Sequence, residues 1–385
     1  MTHLVIAVKT TEGGLWVVSQ IGEARRRGIR VTVITPSGEG RLTRTVARLA
    51  GEDDGITHVP SPFGFSFARP WRVPVGLFRL RRLLRRLDPD AVLYHLYATA
   101  LAVRLAAVGL RCRTVYMVAG PLYLDSPLIR FVERFLARLD DVIICGSQHI
   151  RQRYLALGLP ASRLRAIPYG VDLSAYDCGP IQTADRERLG LGATTFVAVM
   201  VSYVYAPKRL VHRGEGIKGH RHLLEAWTAF HRSHPQSELL LVGSGFDAAG
   251  ELYRQQLKDT FLCAGDSHGI RWLDSVEDVR DAYAVADVSI SPSLSDNHGA
   301  VLEASSMQVP SIVSDAGALP EAVTVASGWI FRAGCSQELG RHLESAFAEW
   351  ESGRLDQRGQ HARALMADRF DLSTLVRLVI DCTDA

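Results

Sequence analysis

The sequence has little lysine, little net charge and no long apolar run. Lysine stands at only four of the 44 basic positions, and arginine fills the rest. The net charge of +3 is too small to indicate a nucleic-acid partner. No apolar run approaches the roughly 20 residues that a membrane-spanning helix needs. The preference for arginine says nothing about function by itself, whereas the other two absences argue against a nucleic-acid partner and against a membrane-spanning helix.

Cysteine is scarce and dispersed. The six cysteines are Cys112, Cys145, Cys178, Cys263, Cys335 and Cys382. No two of them have the spacing of metal ligands, and no Asp-x-Asp pair stands at the end of a predicted strand, so we expect neither a metal site nor another cofactor. The chain opens on the strand-like run 4–8 rather than on a signal segment, which favours reduced thiols and a cytoplasmic location.

Short β-branched runs alternate with helical patterns along the chain. The predicted strands are 4–8, 31–35, 91–95, 114–118, 141–146, 196–203, 238–243, 269–273, 287–293 and 310–315. This alternation predicts α/β architecture with parallel sheets, in two Rossmann-like domains facing each other across a cleft. The polar stretch 172–190 predicts the linker, with domains at 1–177 and 178–368. A C-terminal helix within 369–385 can cross back to the first domain.

The first candidate ligand loop is Glu12-Gly13-Gly14, between the opening strand and a helix. Paired glycines let backbone approach a ligand, and a helix N-terminus attracts anions. The loop lacks the full G-x-G-x-x-G pattern, so a dinucleotide site is only weakly indicated. A tight strand-to-helix turn explains the pair equally well.

Lys218-Gly219 opens a predicted helix. Lysine is unfavourable at a helix N-terminus by a few tenths of a kcal/mol, unless an anion is bound there. Arg209 and Arg213 in the preceding loop can help to neutralise a diphosphate. We therefore predict a phosphate contact at Lys218, with a solvated lysine as the alternative.

A polar loop follows the strand that ends near residue 291, and a helix begins near His298 or Gly299. The free N–H groups at such a helix start can bind a phosphate. Glu303 stands about one turn inside this helix, where its carboxylate can accept two hydrogen bonds from a ribose diol. The alternative for Glu303 is an acid that serves the helix dipole.

The ordered series of a Gly-Gly turn, Gly-Val-Asp before the linker, Lys-Gly, Ala-Val-Leu-Glu-Ala and Gly-Ala-Leu-Pro-Glu resembles the family 4 retaining glycosyltransferases over nearly the whole chain. The resemblance implies the GT-B fold, a nucleotide-diphosphate sugar donor such as a UDP-sugar, and hexosyl or N-acetylhexosaminyl transfer with retention and without metal. It also implies donor-binding roles for Gly13, Gly14, Arg209, Arg213, Lys218, Gly219, Val276, His298, Gly299, Ala300 and Glu303.

Several positions depart from the family pattern. Ser295 stands where the family has the first acid of its Glu-x7-Glu motif, and Asp296 is one position away. The resemblance therefore implies Lys218, Asp296 and Glu303 as the catalytic set. Ala119 replaces a histidine that is common in the family. A nucleotide-sugar epimerase and a binding protein without turnover stay open as alternatives.

The acceptor is predicted from the first half of the chain. Glu12 and Asp125 follow predicted strands there and His95 is the last residue of one, and the two carboxylates suit a cationic aminocyclitol of the kind found in antibiotic biosynthesis. The alternative for Asp125 is a cap of the helix that follows it. The basic segment 77–88 can lie on an anionic membrane, but a solvated helix face is the more ordinary interpretation, so we expect no membrane-surface partner.

Overall fold

The computed structural model describes residues 1–12, 14, 16–67, 69–176, 186–187, 189–192, 194–207, 214–262, 268–295 and 298–384. The chain forms two compact units, Met1–Tyr169 with Leu372–Ala385, and Gly170–Asp371. The first boundary between the two units falls between Tyr169 and Gly170, whereas the sequence predicted a domain boundary after residue 177. The C-terminal segment of the first unit begins at Leu372 rather than at 369.

Each unit has one parallel sheet in its described residues. The first has seven strands in the order β3-β2-β1-β4-β5-β6-β7, and they are β1 His3–Val8, β2 Arg30–Thr35, β3 Ile56–Pro60, β4 Ala91–His95, β5 Arg113–Val118, β6 Val142–Cys145 and β7 Leu164–Ala166. The second has six in the order β10-β9-β8-β11-β12-β13, and they are β8 Phe196–Val201, β9 Ser237–Val242, β10 Ile270–Leu273, β11 Val288–Ser291, β12 Ser311–Ser314 and β13 Gly328–Phe331.

Helices connect the strands in both units. In the first unit they are α1 Trp16–Arg26, α2 Arg41–Glu52, α3 Val73–Leu87, α4 Tyr97–Ala107, α5 Pro127–Leu136 and α6 Gln148–Ala156. In the second they are α7 His220–Ser233, α8 Ala248–Phe261, α9 Arg280–Tyr283, α10 Gly299–Ser306, α11 Ser336–Glu351 and α12 Leu355–Arg369. Helix α13, Leu372–Asp381, belongs to the first unit.

Both faces of the first sheet are covered. Successive residues of β1 point to opposite faces of the sheet. Val5 packs with the helical layer of α3, α4 and α6, and Ile6 packs with that of α1, α2 and α13. Leu375 and Val379 of α13 are buried in the second of these cores. Burial on both faces explains why β1 is continuously apolar.

The strand order places a topological switch in each sheet. The chain builds one side outward from β1 and then returns to add β4 on the other side, and it treats β8 and β11 in the same way. Ligands of open parallel sheets bind outside the carboxyl ends of the strands at such points. The loops that follow β8 and β11 are therefore the place to look for a site in the second unit, and those after β1 and β4 in the first.

Candidate functional site

The turn at Lys218-Gly219 contacts the loop that follows β11. Gly219 has a φ of 73°, and a β-carbon there would lie 2.0 Å from the carbonyl oxygen of Pro292. The amide of Leu294 also donates to the carbonyl of Ile217 over 2.8 Å. Only glycine fits such a close approach with a positive φ. The loops after β8 and β11 are thereby joined at the switch point of the second sheet.

The start of α7 is suited to an anion. Lys218 is half-buried and lies two residues before His220, the first residue of α7. Burial, and then the nearby charge of Lys218, lower the pKa of His220 to about 3, so this imidazole is neutral at pH 7. Its ring stacks on Trp272 with 5.8 Å between centroids. The positive charge of Lys218 thus adds to the free amides of the helix N-terminus. Arg209 and Arg213 lie outside the described residues.

Glu303 is held by two tyrosines that the sequence did not indicate. The hydroxyl of Tyr283 lies 3.4 Å from Oε2 of Glu303 and 3.1 Å from the carbonyl oxygen of Ala300, so these two acceptors share its one proton. Tyr176 donates a further hydrogen bond to the Glu303 carboxylate. Burial raises the pKa of Glu303, and the two tyrosine bonds oppose that rise. A carboxylate has about four acceptor positions, so capacity is left for two hydroxyl groups of a ligand.

The loop between β11 and α10 is fixed mainly by serines. Ser293 Oγ donates to the carbonyl of Ser295 over 2.9 Å, and Ser314 Oγ donates to the carbonyl of Ser293. Ser295, at the position of the family's first acid, is buried. Asp296 lies outside the described residues, so its catalytic role stays a prediction.

His298 immediately precedes α10 and is buried. Its Nε2 has no hydrogen-bond partner in the described part of the chain, and burial lowers its pKa to about 4. Gly299 and Ala300 form the first turn of α10, with Gly299 exposed. A neutral imidazole and the first amides of a helix are groups that can hydrogen-bond a phosphate.

Val276 lies in the exposed loop after β10, beside the loop after β9. Ser244 and Ser275 join these two loops through a hydroxyl contact of 2.7 Å. Tyr205 stacks on Phe246 in the same region, with 4.7 Å between ring centroids. This aromatic pair is not evident from the sequence, because its members come from separate loops.

The loop after β1 is tied to α2. Gly14 has a φ of 86°, which the strand-to-helix turn requires. Gly13 lies outside the described residues. Oε2 of Glu12 accepts a hydrogen bond from the amide of Arg41, the first residue of α2, over 3.1 Å. Glu12 therefore serves the N-terminus of a helix in this structure.

His95, the last residue of β4, is fully buried. Trp16 Nε1 lies 3.3 Å from Nδ1 of His95, and Gln20 Oε1 lies 2.9 Å from its Nε2. Burial lowers the pKa of His95 to about 3, so the ring is neutral. Since Trp16 can only donate, the His95 proton is on Nε2. Direct contact with an acceptor would require one of these two bonds to break.

Asp125 forms an ion pair with Arg153 at 2.8 Å. The residue that caps α5 is Ser126, whose side chain accepts from the amide of Ile129. The alternative interpretation of Asp125 as the helix cap is therefore wrong, because the cap is one residue later. Asp125 is half-exposed, and its carboxylate already has a cationic partner.

Two further properties bear on the site. Across the described ranges, no group of three or more His, Cys, Asp and Glu side chains is placed to hold a metal ion. None of the described helices combines the length and apolar character needed to cross a membrane.

Family models match both units. Residues 15–175 match the model described as Glycosyltransferase Family 4, and residues 207–349 match the model described as Glycosyl transferases group 1. Together the two matches cover most of the chain, including the Lys218-Gly219 turn and all of α10.

Among curated proteins, the chain is 28% identical over 202 residues to the GDP-mannose-dependent monoacylated alpha-(1-6)-phosphatidylinositol monomannoside mannosyltransferase of Corynebacterium glutamicum, covering 49% of this chain and 48% of the relative. It is 27% identical over 208 residues to the GDP-mannose-dependent alpha-(1-6)-phosphatidylinositol monomannoside mannosyltransferase of Mycobacterium tuberculosis, covering 51% and 50%. The chain thus spans about half the length of the curated relatives it matches.

Solved structures resemble the chain over nearly its whole length. A glycosyltransferase from Rickettsia africae aligns with a TM-score of 0.80 at 16% identity, covering 99% of this chain and 98% of that one. Anabaena HepE in complex with UDP and glucose aligns with a TM-score of 0.80 at 18% identity, covering 99% of both chains. At these identities the likeness establishes the GT-B fold.

Proposed function

The chain belongs to the family 4 glycosyltransferases, and we propose that it transfers a hexosyl or N-acetylhexosaminyl group from a nucleotide-diphosphate sugar to an acceptor hydroxyl with retention of configuration. The observation that carries this proposal is the contact between the Lys218-Gly219 turn and the loop after β11. This contact brings together Lys218, the N-terminus of α7 and helix α10, which carries Glu303, at the switch point of the second sheet.

The residues of this site can bind a donor and stabilise its leaving group. Lys218 and the amides at the start of α7 and α10 would meet the negative charge that develops on the departing diphosphate. Glu303, oriented by Tyr176 and Tyr283, would accept hydrogen bonds from the ribose hydroxyls. No step in this scheme uses a metal ion, and Lys218 supplies the positive charge that a metal would otherwise bring.

The nucleotide of the donor has two candidates. UDP is the first, because the structural neighbour HepE was solved with UDP and glucose. GDP is the second, because the curated relatives are named GDP-mannose-dependent enzymes. Both share the diphosphate and ribose that the Lys218 and Glu303 groups would bind.

The acceptor hypothesis changes with the structure. The prediction of a cationic aminocyclitol acceptor depended on the carboxylates of Glu12 and Asp125. Each of these carboxylates already has a partner within the protein. An uncharged sugar on a lipid carrier is now better supported, since the curated relatives are named as mannosyltransferases of phosphatidylinositol monomannoside. A cytoplasmic location remains part of the proposal.

Replacing Glu303 with glutamine should weaken donor binding by about 1 kcal/mol, roughly fivefold, because a carboxylate that accepts ribose hydroxyls becomes a neutral amide. Calorimetric titration with the nucleotide diphosphate and with its 2′,3′-dideoxy analogue would measure this. The variant should lose little affinity for the dideoxy form. Equal losses for both ligands would remove the ribose role.

Transfer should continue in excess EDTA, because protein groups meet the leaving-group charge. The assay follows sugar transfer from UDP- and GDP-sugars to glycolipid and soluble acceptors, with and without chelator. Loss of transfer on chelation, with rescue by Mg²⁺ or Mn²⁺, would contradict the metal-free proposal. Conversion of the nucleotide sugar without any acceptor would instead favour the epimerase alternative.

A further inference from the structure

Helix α5 exposes its apolar face. Leu128, Phe131 and Phe135 are 72%, 63% and 51% exposed, and Val132 beside them is also exposed. Their spacing of three and four residues places them in one stripe along the helix. An isolated exposed leucine is ordinary, but a stripe of four large apolar side chains on one short helix indicates a binding surface.

The stripe faces outward because a buried ion pair fixes the opposite side of the helix. Glu133 is the buried residue of α5. Its two carboxylate oxygens accept from Arg104 of α4 over 2.7 and 3.0 Å, and Tyr154 donates to it over 2.8 Å. Rotating α5 to bury the stripe would leave Arg104 without this partner, which is costly in a protein interior. The exposed orientation is therefore built into the fold.

Within residues 126–139 the exposed charges have one sign. Arg130, Arg134 and Arg138 are exposed along its side. The guanidinium of Arg138 lies 5.8 Å from the ring centroid of Phe135. The one carboxylate between 126 and 139 is that of Glu133, and it is buried against Arg104. Apolar side chains flanked by exposed arginines complement a surface with anionic headgroups above an apolar layer.

A groove in the same helical layer repeats this composition. It has a volume of about 750 Å³ and is lined by aromatic and arginine side chains that include Phe63, Trp71, Arg69, Arg72 and Arg79. Helix α3, which supplies one wall, also packs on α4, the helix that carries Arg104. Arginine is well suited to bidentate recognition of phosphate. The groove therefore adds a second place on this layer for a lipid headgroup.

We propose that the outer face of the α3–α4–α5 layer docks on a lipid bilayer that contains anionic headgroups. Helix α5 lies in the plane of the interface, its stripe inserts among the upper acyl chains, and its arginines contact lipid phosphates. This proposal reverses the sequence-based expectation that no membrane surface is a partner. It uses no residue of the donor site, so it can fail while the proposed function stands.

Co-sedimentation with vesicles tests the proposal on the full chain. Vesicles of phosphatidylcholine with about one third phosphatidylglycerol should bind the protein, and pure phosphatidylcholine vesicles should bind it far less. Arg130→Gln with Arg134→Gln should lower the partition coefficient by about fivefold for each charge. Phe131→Ser with Phe135→Ser should lower it on the same vesicles without altering nucleotide binding, because neither ring is in the core.

Leu252→Ser is the matched control, since Leu252 on α8 of the second unit is 69% exposed and lies in no such stripe. It should leave vesicle binding unchanged. Absence of binding to anionic vesicles, equal binding to neutral ones, or equal loss with Leu252→Ser would each overturn the proposal. So would concentration-dependent dimerisation abolished by the phenylalanine variants, which would assign the stripe to a second copy of the chain.

Discussion

Replacing Lys218 with alanine should weaken nucleotide-sugar binding by about 10- to 100-fold. The side chain is half-buried at the start of α7, and its charge reaches His220, so it is held at the helix N-terminus. One charge-assisted contact to a diphosphate contributes on the order of 1.5–3 kcal/mol, which corresponds to this loss. Calorimetric titration of the purified protein with UDP, GDP and their sugars would measure it.

Two variants serve as controls for Lys218→Ala. Lys218→Arg keeps the charge and should retain part of the affinity, although arginine presents it in a different geometry. Lys258→Ala removes a lysine of the same unit that lies over the ring of Trp272, and it should leave the diphosphate contact intact. If the dissociation constant for the nucleotide sugar is the same in wild type and Lys218→Ala, Lys218 does not bind the diphosphate.

Replacing Arg104 with methionine should lower the free energy of unfolding by about 3–5 kcal/mol. Arg104 is fully buried between Glu133 and Asp140, with its Nε 2.9 Å from Asp140 Oδ2. Removing it leaves two buried carboxyl groups without their cation. Burial already raises the pKa of Asp140, so this carboxyl should take up a proton in the variant.

Urea titration of the Arg104→Met variant measures the change, with Arg48→Met as the comparison. Arg48 pairs with Glu52 on the exposed side of α2, where each side chain is more than half exposed. Exposed pairs of this kind contribute about 0.2–1 kcal/mol. If both variants lose the same small amount of unfolding free energy, the buried network does not hold α5 in place. It then does not fix the apolar stripe in its outward orientation.

The interior strands could be predicted from the sequence because they are buried on both faces and read as apolar runs. The sequence did not predict β3, β7 and β13, which are three of the four edge strands, and it did predict the fourth, β10. The residues of β3 are partly exposed, and β7 has only three residues. An edge strand lacks one neighbour and much of its burial, so its composition carries little signal.

The candidate donor site could be predicted where its residues are close together in the sequence. The Lys218-Gly219 turn and the segment that leads to Glu303 are each continuous and carry helix-start signals. Tyr176 and Tyr283 were not predictable, because they reach Glu303 only through the tertiary fold. The candidate acceptor residues Glu12 and Asp125 show a second limit of the sequence. It does not reveal that other groups of the protein already bind these two carboxylates.

The most direct test of the account is whether the protein binds a nucleoside diphosphate without metal. Thermal unfolding is measured in EDTA with UDP, GDP, ADP and their sugars at high concentration. A ligand at about 100 times its dissociation constant adds about 2.7 kcal/mol, which raises the unfolding temperature by several degrees. We predict such a rise with UDP or GDP in wild type and a smaller one in Lys218→Ala. No rise with any nucleoside diphosphate would contradict the central claim.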